Sequence, residues 1–233
     1  MTTPQLQEVD TGPRLDLPAV LIALGAAVIS YGVAVALLIA FRTDSATAGL
    51  AQYLVSGLAP IVAVGVAWAV RVRSFEAVGL RAVPRRWVIV AIGAGVGTVL
   101  LGIAVSIVVI VLTGPGADVQ ADYRAASSAG PLLLVLTLFA GAVLTPVGEE
   151  LLFRGVLANW LLRFGGWVAV PTSAALFALA HGITAVLPVA FVVGIITALL
   201  FRATRSIWPG VIVHAINNGY AVIVSAVAAG ATS

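Results

Sequence analysis

Long, uninterrupted apolar blocks constrain this chain more than any motif in it. They run over about 17–41, 50–70, 88–113, 131–147, 166–184, 185–201 and 207–229. About 20 consecutive apolar residues suffice to cross the hydrocarbon core of a bilayer as a helix. A helix also satisfies every backbone polar group from within one segment, which lipid demands. Of the 233 residues, 61% are hydrophobic and 9% charged, whereas soluble domains carry about a quarter charged residues. The expected fold is an all-α, polytopic membrane bundle of seven transmembrane helices. Two features raise the count to eight if either hides a break. The stretch from Pro131 to Arg163 would measure about 50 Å as one straight helix, so a kink is expected at Pro146. The fifth and sixth blocks are short enough to form a partial hairpin.

All twelve basic residues are arginine, and they sort by loop. Arg71, Arg73, Arg81, Arg85 and Arg86 crowd the second loop, Arg154 and Arg163 follow the fourth block, Arg202 and Arg205 follow the sixth, and Arg14 precedes the first. Placing these ten in the cytoplasm leaves Arg42 and Arg124 outside, beside Asp44, Asp118 and Asp122. The positive-inside rule then puts the N-terminus in and the C-terminus out. Trp68, Trp87, Trp160, Trp167 and Trp208 fall near the same interface, where amphipathic rings are favoured. Basic residues at helix ends make a topology signal and give no reason to expect nucleic acid as a partner. Cysteine is absent, which excludes disulfides, thiol catalysis and thiolate metal sites. Residues 1–16 form a polar tail without the basic start of a signal peptide, so the first span is expected to be retained. Three helices with their loops occupy 17–130, and 131–229 is the core that carries the motifs below. Gly93 and Gly97, inside the third block, read as a small-residue pair for close helix packing, since no strand precedes them as a nucleotide loop requires.

The polar residues inside the apolar core are few. His181 and His214 are the chain's two histidines, and Glu149 and Glu150 are half of its four glutamates. Ionisable groups in such segments are costly and tend to face a functional interior. In Glu149-Glu150-Leu-Leu-Phe-Arg154, the i,i+4 spacing sets Arg154 over Glu150 as a structural ion pair. Glu149 points about 100° away and is left as a candidate general base. The plainer alternative is a solvated anchor at a helix end. His214 and Asn218 share one helix face a turn apart. Glu149 lies 16 residues before Gly165 and His181 16 after it, so a helical hairpin turning there would bring the two to similar depth. His214, seven residues into its span, should sit only about 10 Å deep, which matches His181 only if the fifth helix is tilted or starts deeper.

A carboxylate, two imidazoles and an amide suit hydrolysis by water. Glu149 would deprotonate the water, with His181 orienting it or sharing the proton. His214 and Asn218 would then donate hydrogen bonds to a tetrahedral oxyanion. The same set could instead hold zinc through Glu149, His181 and His214, with water in the fourth position.

The three motifs, Glu149-Glu150-Leu-Leu-Phe-Arg154, Phe177-Ala-Leu-Ala-His181 and His214-Ala-Ile-Asn-Asn218, resemble in type and order those of the CAAX-protease and bacteriocin-processing (CPBP, or Abi) family of intramembrane proteases. The resemblance covers about 131–229. It implies an all-helical membrane endopeptidase with its site open to the cytoplasmic side. It also implies that Glu149, His181, His214 and Asn218 carry catalysis and that Glu150 and Arg154 support them. No metal cofactor is implied, zinc being the alternative. The partners it implies are the lipid bilayer and a membrane-associated peptide or protein substrate. A lysine-free, cysteine-free chain with short loops points separately to a prokaryotic cytoplasmic membrane. A non-catalytic immunity or scaffold protein is a second reading. A small proton-coupled transporter is a third, against which stands the lack of an inverted repeat.

Overall fold

The structure, a computed structural model, describes residues 15–114 and 119–230. Arg14, Asp118 and nearly all of the polar tail therefore lie outside the described residues. The elements are α1 (Leu17–Phe41), α2 (Ser45–Ala67, extended by a π-turn at Trp68–Val72), α3 (Arg85–Thr113), the short α4 (Ala121–Ser128), the long α5 (Pro131–Phe164), α6 (Gly166–Ala180), α7 (Leu187–Thr204) and α8 (Trp208–Gly230). No strand occurs among the described residues.

Six of these helices are long and apolar enough to cross a membrane, where seven or eight spans were expected. The difference is α6. Its 15 residues give about 22 Å of helix, short of the roughly 30 Å hydrocarbon core. The apolar block continues to Thr184, but Gly182 takes φ +81. That left-handed conformation ends a helix and suits glycine. The chain then turns over 181–186 and returns as α7, with Pro188 in its first turn. The fifth and sixth blocks thus form the anticipated short hairpin.

The break anticipated in α5 takes the form of two π-helical segments, Ala140–Leu144 and Leu151–Ala158. Pro146 follows the first of them, in the opening turn of Thr145–Glu150. Lacking an N–H, proline cannot complete an α-helical bond to the preceding turn, and the wider turn precedes it. Glu149 and Glu150 therefore sit in six residues of α-helix between two stretches of wider pitch.

Small residues set how closely the helices approach. A Cβ at Gly148 would lie 2.1 Å from the carbonyl oxygen of Gly57, so α2 and α5 meet backbone to backbone. Thr145 fastens the same pair, donating to the Tyr53 carbonyl at 2.9 Å and lying 3.0 Å from Ser56 Oγ. In α3 the packing stripe is Ala91, Gly95, Thr98 and Gly102, with Gly95 against Ile216 of α8. Gly93 and Gly97, expected to pair helices, face open space on the opposite side. The polarity of the bundle is inverted relative to a soluble core. Ile39, Phe41 and Leu112 are exposed, while Glu150 and Arg154 are fully buried.

At the arginine-rich end, segment 74–84 folds inward. Ala77, Val78 and Gly79 are buried, and Asn159 Nδ2 donates to the Ala77 carbonyl at 2.8 Å. The Ile207 N–H donates to the Gly79 carbonyl at 3.0 Å, and Ser206 Oγ to the Arg81 carbonyl at 2.6 Å. Ser206 and Ile207 are consequently fully buried just before α8. α8 thus starts beneath a covering loop, and His214 on it is buried.

Candidate active site

Three helices supply the polar cluster: α5 gives Glu149, Glu150 and Arg154, α6 ends at His181, and α8 carries His214. Burial excludes the solvated-anchor reading, since Glu149 is 6% exposed and Glu150 and Arg154 are 0%. Arg154 Nε lies 3.2 Å from Glu150 Oε2, one helical turn away. The same guanidinium donates through Nη2 to the Gly194 carbonyl at 3.2 Å and covers the Phe177 ring with Cζ 4.5 Å from its centroid. Buried charges persist only when paired and hydrogen-bonded, and Arg154 has both kinds of partner.

Phe177 organises the imidazoles. Its ring meets His214 edge-on at 5.6 Å and lies 4.8 Å from His181 between centroids. His181 Nδ1 is 2.9 Å from the Phe177 carbonyl oxygen. A carbonyl can only accept, so Nδ1 carries the hydrogen of that bond. Nε2 is thereby aimed at Glu149, 4.0 Å from Oε2. His214 Nε2 approaches the same oxygen at 3.7 Å, while its Nδ1 lies 3.4 Å from Glu150 Oε1. Glu149 thus faces both histidines. Of the pair, His181 is the open one, with 29% of its side chain exposed against 4% for His214.

Asn218 lies one turn beyond His214, on the same face of α8. Its Nδ2 donates to the Gly141 carbonyl, in the first π segment, at 3.0 Å. An amide nitrogen carries two hydrogens, so one remains for a ligand. The structure therefore gathers Glu149, Glu150, Arg154, His181 and His214 into one contact network, while Asn218, one turn beyond His214, bonds to Gly141.

Sequence reading missed one contributor. Gly210, one turn before His214, lies so close to Glu150 that a Cβ there would come within 2.5 Å of Oε2. A glycine four residues before a buried histidine was the available signal.

The zinc alternative can be tested on these distances. Zn–N and Zn–O bonds of about 2.0–2.2 Å in tetrahedral geometry place donors roughly 3.3–3.5 Å apart. Here Glu149 Oε2 stands 4.0 and 3.7 Å from the two Nε2 atoms. Among the described residues no group of three or more His, Asp or Glu side chains is placed to hold a metal ion. As arranged, these donors stand slightly wider apart than a bound zinc would hold them.

The fold and this cluster define a polytopic integral membrane protein with a buried carboxylate–imidazole centre. Residues 131–220 match the family model described as type II CAAX prenyl endopeptidase Rce1-like. The match contains all three motifs and leaves α1 to α4 outside it. The resemblance read from the motifs holds over this segment. No curated protein and no solved structure matches the chain.

Proposed function

We propose that this chain is a CAAX-protease-like intramembrane endopeptidase that cleaves a membrane-associated peptide or protein with a water activated by Glu149. The observation that carries the reading is one buried carboxylate oxygen facing the Nε2 atoms of two histidines, 4.0 and 3.7 Å away. Polar atoms separated by more than about 3.5 Å can be bridged by a water, and His181, the more exposed histidine, stands where such a water would enter.

In this mechanism Glu149 takes a proton from the water while its oxygen attacks the scissile carbonyl carbon. The resulting oxyanion accepts hydrogen bonds from His214 and from the remaining N–H of Asn218. Donors placed in a dry site ahead of the reaction contribute heavily to such steps. As the intermediate collapses, the C–N bond breaks and Glu149 passes its proton to the leaving nitrogen. Glu150 and Arg154 hold His214 and the surrounding helices. The arginine-rich end is assigned to the cytoplasm by its charge.

The test is cleavage of a membrane-anchored reporter peptide by protein in lipid vesicles, with metal content measured on the same samples. Cleavage that resists chelators and is lost in Glu149→Gln supports the reading. Stoichiometric zinc, released together with activity, would replace it with a metallopeptidase. Cleavage retained in Glu149→Gln, His181→Ala and His214→Ala alike would remove it.

A further inference from the structure

The arginine-rich end does more than report topology. Arg73, Arg81, Arg85, Arg86, Arg202 and Arg205 are all exposed there. The acidic residues at this end, among those described, are Asp16, which is paired with Arg71, and Glu76. Exposed aromatic rings lie among the arginines: Phe75 at 61%, Trp167 at 82% and Trp208 at 40%. Guanidinium groups interleaved with amphipathic rings suit the headgroup layer of a bilayer.

What distinguishes this surface is the segment beneath it. The backbone of 77–81 grips the two helices that carry the site. On α5, a Cβ at Gly155 would lie 2.4 Å from the Val78 carbonyl oxygen, and Asn159 donates to Ala77. Gly155 directly follows Arg154. On the other side, Gly79 and Arg81 accept from Ile207 and Ser206, at the start of the helix leading to Gly210 and His214. Arg205 Nη1 reaches Asn159 Oδ1 at 3.5 Å and links the two sides. A ligand that neutralises Arg81, Arg85, Arg86 and Arg205 would hold this clasp against α5 and α8.

We propose that this end binds anionic phospholipid headgroups, and that their binding fastens segment 74–84 onto the helices that carry Glu149 and His214. Guanidinium groups pair well with phosphate through their planar donors. The attraction is electrostatic and so weakens with salt.

The full-length protein is reconstituted in phosphatidylcholine vesicles with and without phosphatidylglycerol, and thermal unfolding and amide exchange of 77–81 are followed. With phosphatidylglycerol, the midpoint should rise by several degrees and exchange at these amides should slow severalfold, both effects shrinking at high salt. Arg81→Gln/Arg85→Gln/Arg86→Gln should lose the gain, whereas Arg42→Gln, at the other end of the molecule, should keep it. Equal midpoints and exchange in both lipids would overturn the proposal. So would inorganic phosphate reproducing the full effect in phosphatidylcholine, since the ligand would then be a free anion. Should the triple variant fold poorly, the lipid comparison on the unmodified chain decides alone. None of these readouts depends on cleavage, so they stand apart from the peptidase reading.

Discussion

His214 Nδ1 lies 3.4 Å from Glu150 Oε1, so Glu150, expected only to pair with Arg154, also touches the ring that faces Glu149. One histidine therefore meets both members of the Glu-Glu pair through its two nitrogens. Glu149 faces both imidazoles, whereas Glu150 faces that of His214 and the Arg154 guanidinium.

Glu149→Gln keeps the volume of the side chain and removes its ability to take a proton. Proton transfer by a positioned group contributes about 10²–10⁴ in rate, so cleavage should fall by that range. Unfolding temperature, read by circular dichroism in detergent, should change little.

Gly210→Ala should displace the Glu150 carboxylate, because a Cβ would stand 2.5 Å from Oε2 of a fully buried side chain. Overpacking of this kind costs about 1–3 kcal/mol. The displacement should disturb His214 as well. With only two histidines in the chain, ¹⁵N-histidine labelling can follow that ring directly, and an unchanged His214 signal would contradict the coupling.

Arg154→Met leaves Glu150 buried without its cation. Breaking a buried pair from one side costs about 3–5 kcal/mol. Adding Glu150→Gln should recover part of that loss, and a double-mutant cycle on unfolding free energies measures how much.

Gly148→Ala would bring a Cβ to 2.1 Å from a backbone oxygen of Gly57, which cannot swing aside as a side chain can. It should destabilise the protein more than Gly93→Ala, where a Cβ meets open space. Thermal unfolding of the two variants ranks them.

Asp16, ahead of the first span, caps α1 and pairs with Arg71. The Arg71 hydrogen bond, then that from the Ala19 N–H, holds its carboxyl below the usual carboxylate range. Because the folded value is the lower one, its stabilisation is present above the unfolded value and is lost as pH falls through the folded value. Asp16→Asn should therefore differ from the parent at neutral pH and converge with it as pH drops below about 4, as followed by unfolding across pH.

Much of the site was legible because chemistry and spacing coincide in it. The equal distance of Glu149 and His181 from Gly165 foretold their meeting, and the i,i+4 rule foretold Glu150 with Arg154. Hydropathy did not show where helices stop. Gly182 ends α6 inside an apolar block, so a predicted span becomes a short helix. Nor does hydropathy show which glycine faces a neighbour: Gly95 does, and Gly93 and Gly97 do not. Segment 74–84 looked like a charged loop, although Ala77-Val78-Gly79-Leu80 between Glu76 and Arg81 was already an apolar insert in it. Of the π segments, the first is marked by Pro146 behind it and the second left no mark on the sequence, since a wider turn uses the same residues as an ordinary one.

Those π segments make the site depend on counting. Glu149 and Glu150 lie between two stretches whose wide turns set the rotational phase of the short helix that carries them. Tightening either stretch into an α-helix would shift that phase by about one residue, or 100°, and turn the carboxylates away from the imidazoles. Deleting one residue from Ala140–Leu144 would let that stretch tighten with the phase kept, whereas tightening at constant length would remove no polar group and yet point both carboxylates at the wrong neighbours. The integrity of this centre is written as much in the number of residues between its helix ends as in their identity.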